Sequence, residues 1–447
     1  MTSSRIATHV ILRAMKEVRF VTYGCKANQY DTQVLREALA RRGWSETDKD
    51  AELVVVNTCT VTAEAGRKAR QLIRRLGREN PDVRIAVTGC LAESEPEVLR
   101  ELPAVDWVLG NGEAKRPTNF LRHLGEEVDP EELGIPAGIT EFAGHTRAFL
   151  KIQDGCDMAC AFCIIPKVRG KSRSRPLAEL VAEVQRLVEA GHVEVVLCGI
   201  HIGHWGRDLG LELADLVRAL AEAEPRDAEG APLDFRLRLS SIEATEVTPS
   251  LLALMREHPR RIAQHLHMPL QSGDDGVLKA MNRWYDTETY LRACEEIRAA
   301  LDRPAFTADV IVGFPGEDDA AFERTLETVR AAGFARMHVF PFSARPSTPA
   351  YELKGAPKPE VVRERRAALS EAAALIGADF RRSLDGAEET VVLEGTVGLS
   401  GRYQRVVVPM GEDLFPGDLV NVTLKAEASD DGEVSLRGER AATEVSA

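Results

Sequence analysis

A chain of 447 residues, 44% hydrophobic and 28% charged, is long enough for roughly two to four domains, each with its own core. A formal net charge of −13 excludes a protein that is basic throughout, the usual composition of a dedicated nucleic-acid binder, but leaves room for a local basic face. No apolar run reaches the ~18 residues of a membrane span. Eight cysteines are too few for a disulfide scaffold in so long a chain. The sequence therefore reads as cytoplasmic, with cysteines that serve metal, catalysis or core.

Strand-like patterning begins at Val18, so residues 1–15 read as an extension. Val18 to Thr22, Leu53 to Asn57 and Ile85 to Thr88 are short β-branched runs, separated by helix-period stretches such as Tyr30 to Arg42 and Ala63 to Arg78. That alternation predicts an α/β domain over residues 16–124, with a doubly wound parallel sheet. Gly125 to Gly144, rich in Gly, Pro and acidic residues, reads as a linker. Residues 145–378 repeat the alternation with strands expected at Phe149 to Gln153, Val193 to Cys198, Phe235 to Ser240, His265 to Met268, Phe306 to Val312 and Arg336 to Phe340. Six such units predict a partial (β/α)6 barrel, whose functional residues should follow the carboxyl ends of the strands. A charged helix from Pro359 to Leu384 comes next. Residues 384–447 then show short strands at Thr390 to Leu393, Tyr403 to Val408, Leu419 to Thr423 and Val434 to Leu436, the pattern of a small antiparallel β-barrel.

Cys156, Cys160 and Cys163 give C-x3-C-x2-C directly after the first strand of the second segment. Thiolates are the soft ligands of iron-sulfur clusters, and three of them leave one iron of a 4Fe-4S cluster open to chelate S-adenosylmethionine (SAM). The competing assignments are a zinc knuckle and three buried cysteines. Cys25, Cys59 and Cys90 each follow a predicted parallel strand, in FVTYGC, VVVNTC and AVTGC, so one sheet edge should bring them together. They form a second triad unless they are ordinary core residues. Cys198 and Cys294 read as core. GFPGE, Gly313 to Glu317, lacks the full phosphate-loop pattern.

The stretch KIQDGCDMACAFCIIPKVRGKSRSR, Lys151 to Arg175, resembles the radical SAM methylthiotransferases, and the resemblance runs from Lys16 to about Val422. CKANQYDT, GIHIGHWG and HVFPFSARPSTPA resemble the branch that modifies threonylcarbamoyladenosine in tRNA. The resemblance implies a radical SAM barrel, a TRAM-like carboxyl-terminal barrel and two 4Fe-4S clusters, one on Cys156, Cys160 and Cys163 and one on Cys25, Cys59 and Cys90. It implies one SAM as methyl donor and a second as radical source, with tRNA and a low-potential electron donor of the flavodoxin or ferredoxin type as partners, and no membrane. Phe162 should pack against adenine, and Gly199, Ser240, Glu243, Gln271 and Asp309 should line the SAM pocket. Gly199 as a mere turn and Glu243 as a helix-start charge are the plainer alternatives. Isopentenyladenosine in tRNA and an aspartate of a small-subunit ribosomal protein are the alternative substrates of the same chemistry. A non-catalytic iron-sulfur scaffold is the alternative of another class, and a barrel with a substrate-sized cavity argues against it. Lys167 stands where the family often has an aromatic, and Ser347 where it often has glycine.

Leu384 to Ala447 carries thirteen Asp or Glu against five Lys or Arg, a poor surface for phosphates. RNA contact is expected from Arg402, Tyr403 and Arg405 alone or from basic runs elsewhere. Those runs are Arg67, Lys68, Arg70, Arg74, Arg75 and Arg78; Lys167, Arg169, Lys171, Arg173 and Arg175; and Arg363, Arg365 and Arg366. A solvated surface is the default for each run except Arg169 to Arg175, which lies beside the radical cluster. Arg345 in FSARP is the candidate partner for a substrate carboxylate, because a guanidinium fork can engage it through two nitrogens; pairing with a nearby Glu or facing solvent are the alternatives.

Overall fold

Five parallel strands form the first sheet in the computed structural model: β1 Lys16–Thr22, β2 Trp44–Glu46, β3 Leu53–Thr58, β4 Arg84–Gly89 and β5 Val105–Leu109, in the order β2-β1-β3-β4-β5. The structure describes residues 16–60, 63–128, 138–409, 411, 413–429 and 433–440, so the expected extension and the middle of the expected linker lie outside the described residues. β3 is buried at every position, as a parallel strand covered on both faces requires. One face carries the helix Ala63–Glu79 through Ala69, Leu72, Ile73 and Leu76; the other carries Lys26–Ala40 and Pro117–His123 through Leu35, Leu39, Phe120 and Leu121. Residues 138–144 are no solvated linker. Ile139 and Phe142 join the core of the next domain, and the backbone of Thr140 donates to the Glu37 carboxylate at 2.9 Å.

The second domain contains β6 Arg147–Lys151, a short ribbon of β7 Gln153–Asp154 with β8 Arg173–Ser174, then β9 Glu194–Cys198, β10 Arg236–Leu239, β11 His265–His267, β12 Ala305–Val312 and β13 Arg336–Pro341. β6, β9 and β10 pair in parallel, as do β11, β12 and β13. Parallel bridges Leu237↔Ile262 and Ser241↔His267 join the two triplets. All six expected barrel strands are therefore present, and Leu150, Leu197, Leu237, Leu266, Phe306 and Val310 belong to their shared core.

The long helix Pro359–Ser383 leads to a closed barrel of β14 Glu388–Leu393, β15 Val397–Ser400, β16 Arg405–Val407, β17 Leu419–Ala428 and β18 Val434–Glu439. Its pairs are antiparallel except β16 with β18, which meet in parallel at Val407↔Arg437. Arg402 holds this barrel to its neighbour and does not face RNA. It is buried, with donors on the carbonyls of Asp302 and Arg303 and on the Glu389 carboxylate, each at 3.0 Å. Tyr403 stacks on His265, ring centroids 4.5 Å apart.

Candidate active site

The loop from Gly155 to Cys163 is pinned by backbone bonds from several elements. Cys156 N donates to Gly170 O, Ala161 N to Met281 O and Ala350 N to Ala161 O. Gly155 has φ +77°, and a Cβ there would lie 2.0 Å from the Lys171 carbonyl oxygen, so only glycine fits. Cys156, Cys160 and Cys163 open into a cavity of about 180 Å³ that Phe162, Glu243, Gln271 and Arg283 also line. Burial pushes the Cys163 thiol up to about 12 and raises Cys160 too. Such thiols keep their protons at neutral pH unless a metal replaces them, which is the donor chemistry an iron-sulfur cluster uses.

Two residues that sequence reasoning missed complete the rim. Arg283 donates from Nη1 to Cys160 Sγ at 3.2 Å, and its Nη2 holds the Glu243 carboxylate at 2.5 Å. His201 Nδ1 lies 3.5 Å from Cys156 Sγ, while its Nε2 binds Glu246 at 2.9 Å. Neither sits in a periodic pattern; His201 lies two residues beyond Gly199, the one nearby signal. Gly199, Ser240 and Asp309 are not among the residues that line the cavity, although Ile200 and Ser241, next to the first two, are. A Cβ at Gly199 would meet the Gln153 carbonyl and amide oxygens at 3.0 and 3.1 Å, a close approach within the chain itself. The Asp309 carbonyl accepts from Gln271 N at 2.9 Å, and its carboxylate lies 3.5 Å from His267.

Cys25, Cys59 and Cys90 follow β1, β3 and β4, which are consecutive in the sheet. Gly24, at φ +102°, lets the Cys25 turn approach Cys59, since a Cβ would stand 2.9 Å from Cys59 Sγ. Cys25 caps the helix Lys26–Ala40 and Cys90 opens the short helix Cys90–Ser94. Cys90 packs on Ile164, Ile165 and Val168, the residues that follow Cys163. The five-residue helix Ile165–Arg169 thus connects the two triads.

The interface beside this helix is charged and buried. Asp31 takes Lys115 Nζ at 3.0 Å, Lys151 Nζ, and Arg169 Nη2 at 3.3 Å. Burial alone would raise its carboxyl, but the three cations hold it far below the usual range. The basic run from 167 to 175 is therefore not one RNA-facing surface: Arg169 is buried here and Arg175 pairs with Glu183 at 2.7 Å. Arg365 is likewise buried, against Glu317 and Asp319. The helix Ala63–Glu79 does keep Lys68, Arg74, Arg75 and Arg78 on an open cleft of about 550 Å³ beside Tyr23. Arg345 neither faces solvent nor pairs with a Glu: at 6% exposure its Nη2 donates to the carbonyl and hydroxyl of Thr60, next to Cys59. The two departures from the family pattern meet, since Lys167 Nζ donates to the carbonyl of Ser347, whose φ of +70° is the reason glycine suits that position.

Residues 17–110 match the family described as "Uncharacterized protein family UPF0004", and residues 150–329 match the radical SAM superfamily. The threonylcarbamoyladenosine tRNA methylthiotransferase MtaB of Thermotoga maritima is 35% identical over 437 residues, covering 95% of this chain and 98% of the relative. Its namesake in Bacillus subtilis is 35% identical over 435 residues, 92% of this chain and 94% of the relative. The tRNA-2-methylthio-N(6)-dimethylallyladenosine synthase of Cereibacter sphaeroides is 37% identical over 449 residues, 94% of this chain and 97% of the relative. Among solved structures, the radical SAM methyltransferase TsrM of Kitasatospora setae, with cobalamin and a 4Fe-4S cluster bound, covers 85% of this chain and 81% of its own with a TM-score of 0.53. At 14% identity that likeness concerns the fold alone. Among the described residues, no helix is long and apolar enough to cross a membrane.

Proposed function

We propose that this chain, which belongs to the radical SAM methylthiotransferases, places a methylthio group on C2 of threonylcarbamoyladenosine beside the anticodon of tRNA. The superfamily uses a 4Fe-4S cluster and SAM, for which Cys156, Cys160 and Cys163 are the proposed ligands and Phe162, Gly199, Ser240, Glu243, Gln271 and Asp309 the proposed SAM surroundings. A second cluster on Cys25, Cys59 and Cys90 completes the reading, with a flavodoxin- or ferredoxin-type donor in the cytoplasm and domains at 16–124, 145–378 and 384–447. When bound, these groups supply the reducing electron, the radical, the methyl group and the sulfur. The protein's share is placement. Arg283 orients Cys160 and Glu243 together, and the packed helix Ile165–Arg169 sets the spacing of the two triads and keeps water from between them. The observation that carries this reading is the packing of Cys90, from the second triad, on the residues that directly follow Cys163 of the first, since methylthio transfer requires a radical source next to a sulfur source.

An RNA partner also finds a basic face. Arg336, Arg366, Arg381 and Arg405 line a groove of about 1010 Å³ between β13, the helix Pro359–Ser383 and the small barrel, with Phe340 exposed beside them. Of the small barrel's own cations Arg405 lines the groove; the other three arginines come from β13 and the helix Pro359–Ser383. The double variant Arg366→Ala, Arg405→Ala should lower the salt dependence of tRNA binding by about two phosphate contacts. SAM cleavage without RNA should not change. An unaltered salt slope would place the RNA elsewhere.

For the substrate, Arg345 is proposed to face the threonylcarbamoyl carboxylate from its place beside Thr60. The decisive experiment offers reconstituted protein two tRNAs, one bearing threonylcarbamoyladenosine and one bearing isopentenyladenosine, and analyses digested nucleosides by mass spectrometry. Methylthio product is expected from the first alone. The dimethylallyl-directed relative at 37% identity makes the second the alternative, and product from it alone would move the assignment there.

A further inference from the structure

Arg169 belongs by sequence to the radical domain, at the end of the helix that follows Cys163, but its side chain reaches into the amino-terminal domain and is only 1% exposed. Nη1 donates to both Asp154 oxygens at 2.9 and 3.1 Å, and Nη2 to Asn28 Oδ1 and to Asp31. Asn28 in turn donates to the carbonyls of Tyr23 at 2.8 Å and Thr58 at 2.9 Å, the residues leading into Cys25 and Cys59. Nε of Arg169 is buried with no hydrogen-bond partner among the described residues. The sulfurs of Cys90 and Cys25 lie near enough to act on its charge, as do Asp31, Asp154, Lys115 and Lys151. A buried N–H without an acceptor is costly to keep, and a sulfur acceptor at this place would satisfy it.

The charges agree. Among the described residues, the ion pairs of Lys115, Lys151 and Arg169 are with Asp31 and Asp154, which leaves one positive charge in surplus. A 4Fe-4S cluster on three thiolates is anionic and its sulfurs accept hydrogen bonds, which tune its potential.

We infer that Arg169 is a positioning residue of the amino-terminal iron-sulfur site: its Nε–H donates to sulfur of the cluster held by Cys25, Cys59 and Cys90, and the surplus charge of its network offsets the cluster's negative charge. The inference rests on the two-cluster reading. The radical domain then supplies the electrostatic half of the amino-terminal site, and the segment from Cys163 to Arg169 ties the two sites mechanically.

The test uses the full chain, reconstituted anaerobically in a Cys160→Ala background so that only the amino-terminal cluster remains. Iron content and the midpoint potential from an EPR-monitored titration are read for Arg169, Arg169→Lys and Arg169→Met. The Cys160→Ala parent should hold about four iron atoms. Lysine keeps the charge but lacks the Nε–H, so iron should stay and the potential should move to more negative values; methionine removes both, and most of the iron should be lost. Because methionine could also loosen the interface, the lysine variant, checked for an unchanged melting temperature, decides the case. An unshifted potential in Arg169→Lys with full iron in Arg169→Met overturns the inference and leaves the second cluster standing. No iron in the Cys160→Ala parent removes both.

Discussion

Cys160→Ala is expected to reduce SAM cleavage to background, whereas Cys25, Cys59 and Cys90 all replaced by Ala should leave cleavage intact and abolish methylthio transfer. Cys160 shares its cavity with Cys156, Cys163 and Phe162, and it is the thiol to which Arg283 donates. Two thiols cannot hold a site-differentiated cluster, so the open coordination position is lost with it. None of the other three cysteines lines that cavity. Fully reconstituted wild-type protein should hold about eight iron atoms and either variant about four. The measurements are iron content and 5′-deoxyadenosine released under reduction, after thermal melts have shown that each variant is folded, since losing a cluster can cost stability. Full iron in the triple variant would remove the second cluster from the mechanism. Equal loss of cleavage in both variants would show that the two sites have no separate roles.

The readable parts of this molecule were those with local signatures. VVVNT announced a central parallel strand because every side chain in it is covered, and C-x3-C-x2-C announced its loop because the ligands lie close together in the chain. The amino-terminal triad was legible through topology, since strand ends that alternate with helices fall on one edge. β2, β5 and β15 are too short or too amphipathic to stand out from their flanks. What escaped altogether were contacts made across the fold. Arg283 meets a cysteine 123 positions away, His201 one 45 away, and Arg169 meets Asn28 across 141. A charge run has no period that reports burial, so Arg365 and Arg402 read like their solvated neighbours, and the place of Arg169 and Arg175 beside the cluster motif did not tell which acids would bury them. Their destinations are set by acids elsewhere in the chain, such as Asp31, Glu183, Glu317 and Glu389.

Glu194→Gln is expected to destabilise the protein by about 3–5 kcal/mol, the cost of breaking a fully buried ion pair. Glu194 opens β9 with no exposure, and its carboxylate takes Arg236 at 2.6 Å and Arg238 at 2.9 Å. The remaining donors of those two guanidiniums cross to the small barrel, on the carbonyls of Thr390, Leu399, Ser400 and Gly401 at 2.5 to 3.0 Å. One carboxylate therefore orients the two clamps that join the barrels, and glutamine would leave two cations buried against a neutral group. Burial opposes ionisation of Glu194, but Arg238 and Arg236 outweigh it and hold the carboxyl well below its usual range. Arg236 keeps its charge although burial lowers its pKa, because a guanidinium starts above ~12. A depressed carboxyl contributes stability that is complete above its unfolded value near ~4.3 and is lost as pH falls toward the folded one. Thermal melts should therefore show a large deficit for Glu194→Gln at pH 7 that narrows at about pH 3, where the wild type has begun to lose the same contribution. Because the groove proposed for RNA lies where the small barrel meets the helix Pro359–Ser383, tRNA affinity should fall with it, while SAM cleavage without RNA persists below the melting temperature. A melting temperature equal to wild type at pH 7 would show that the clamps hold without their carboxylate.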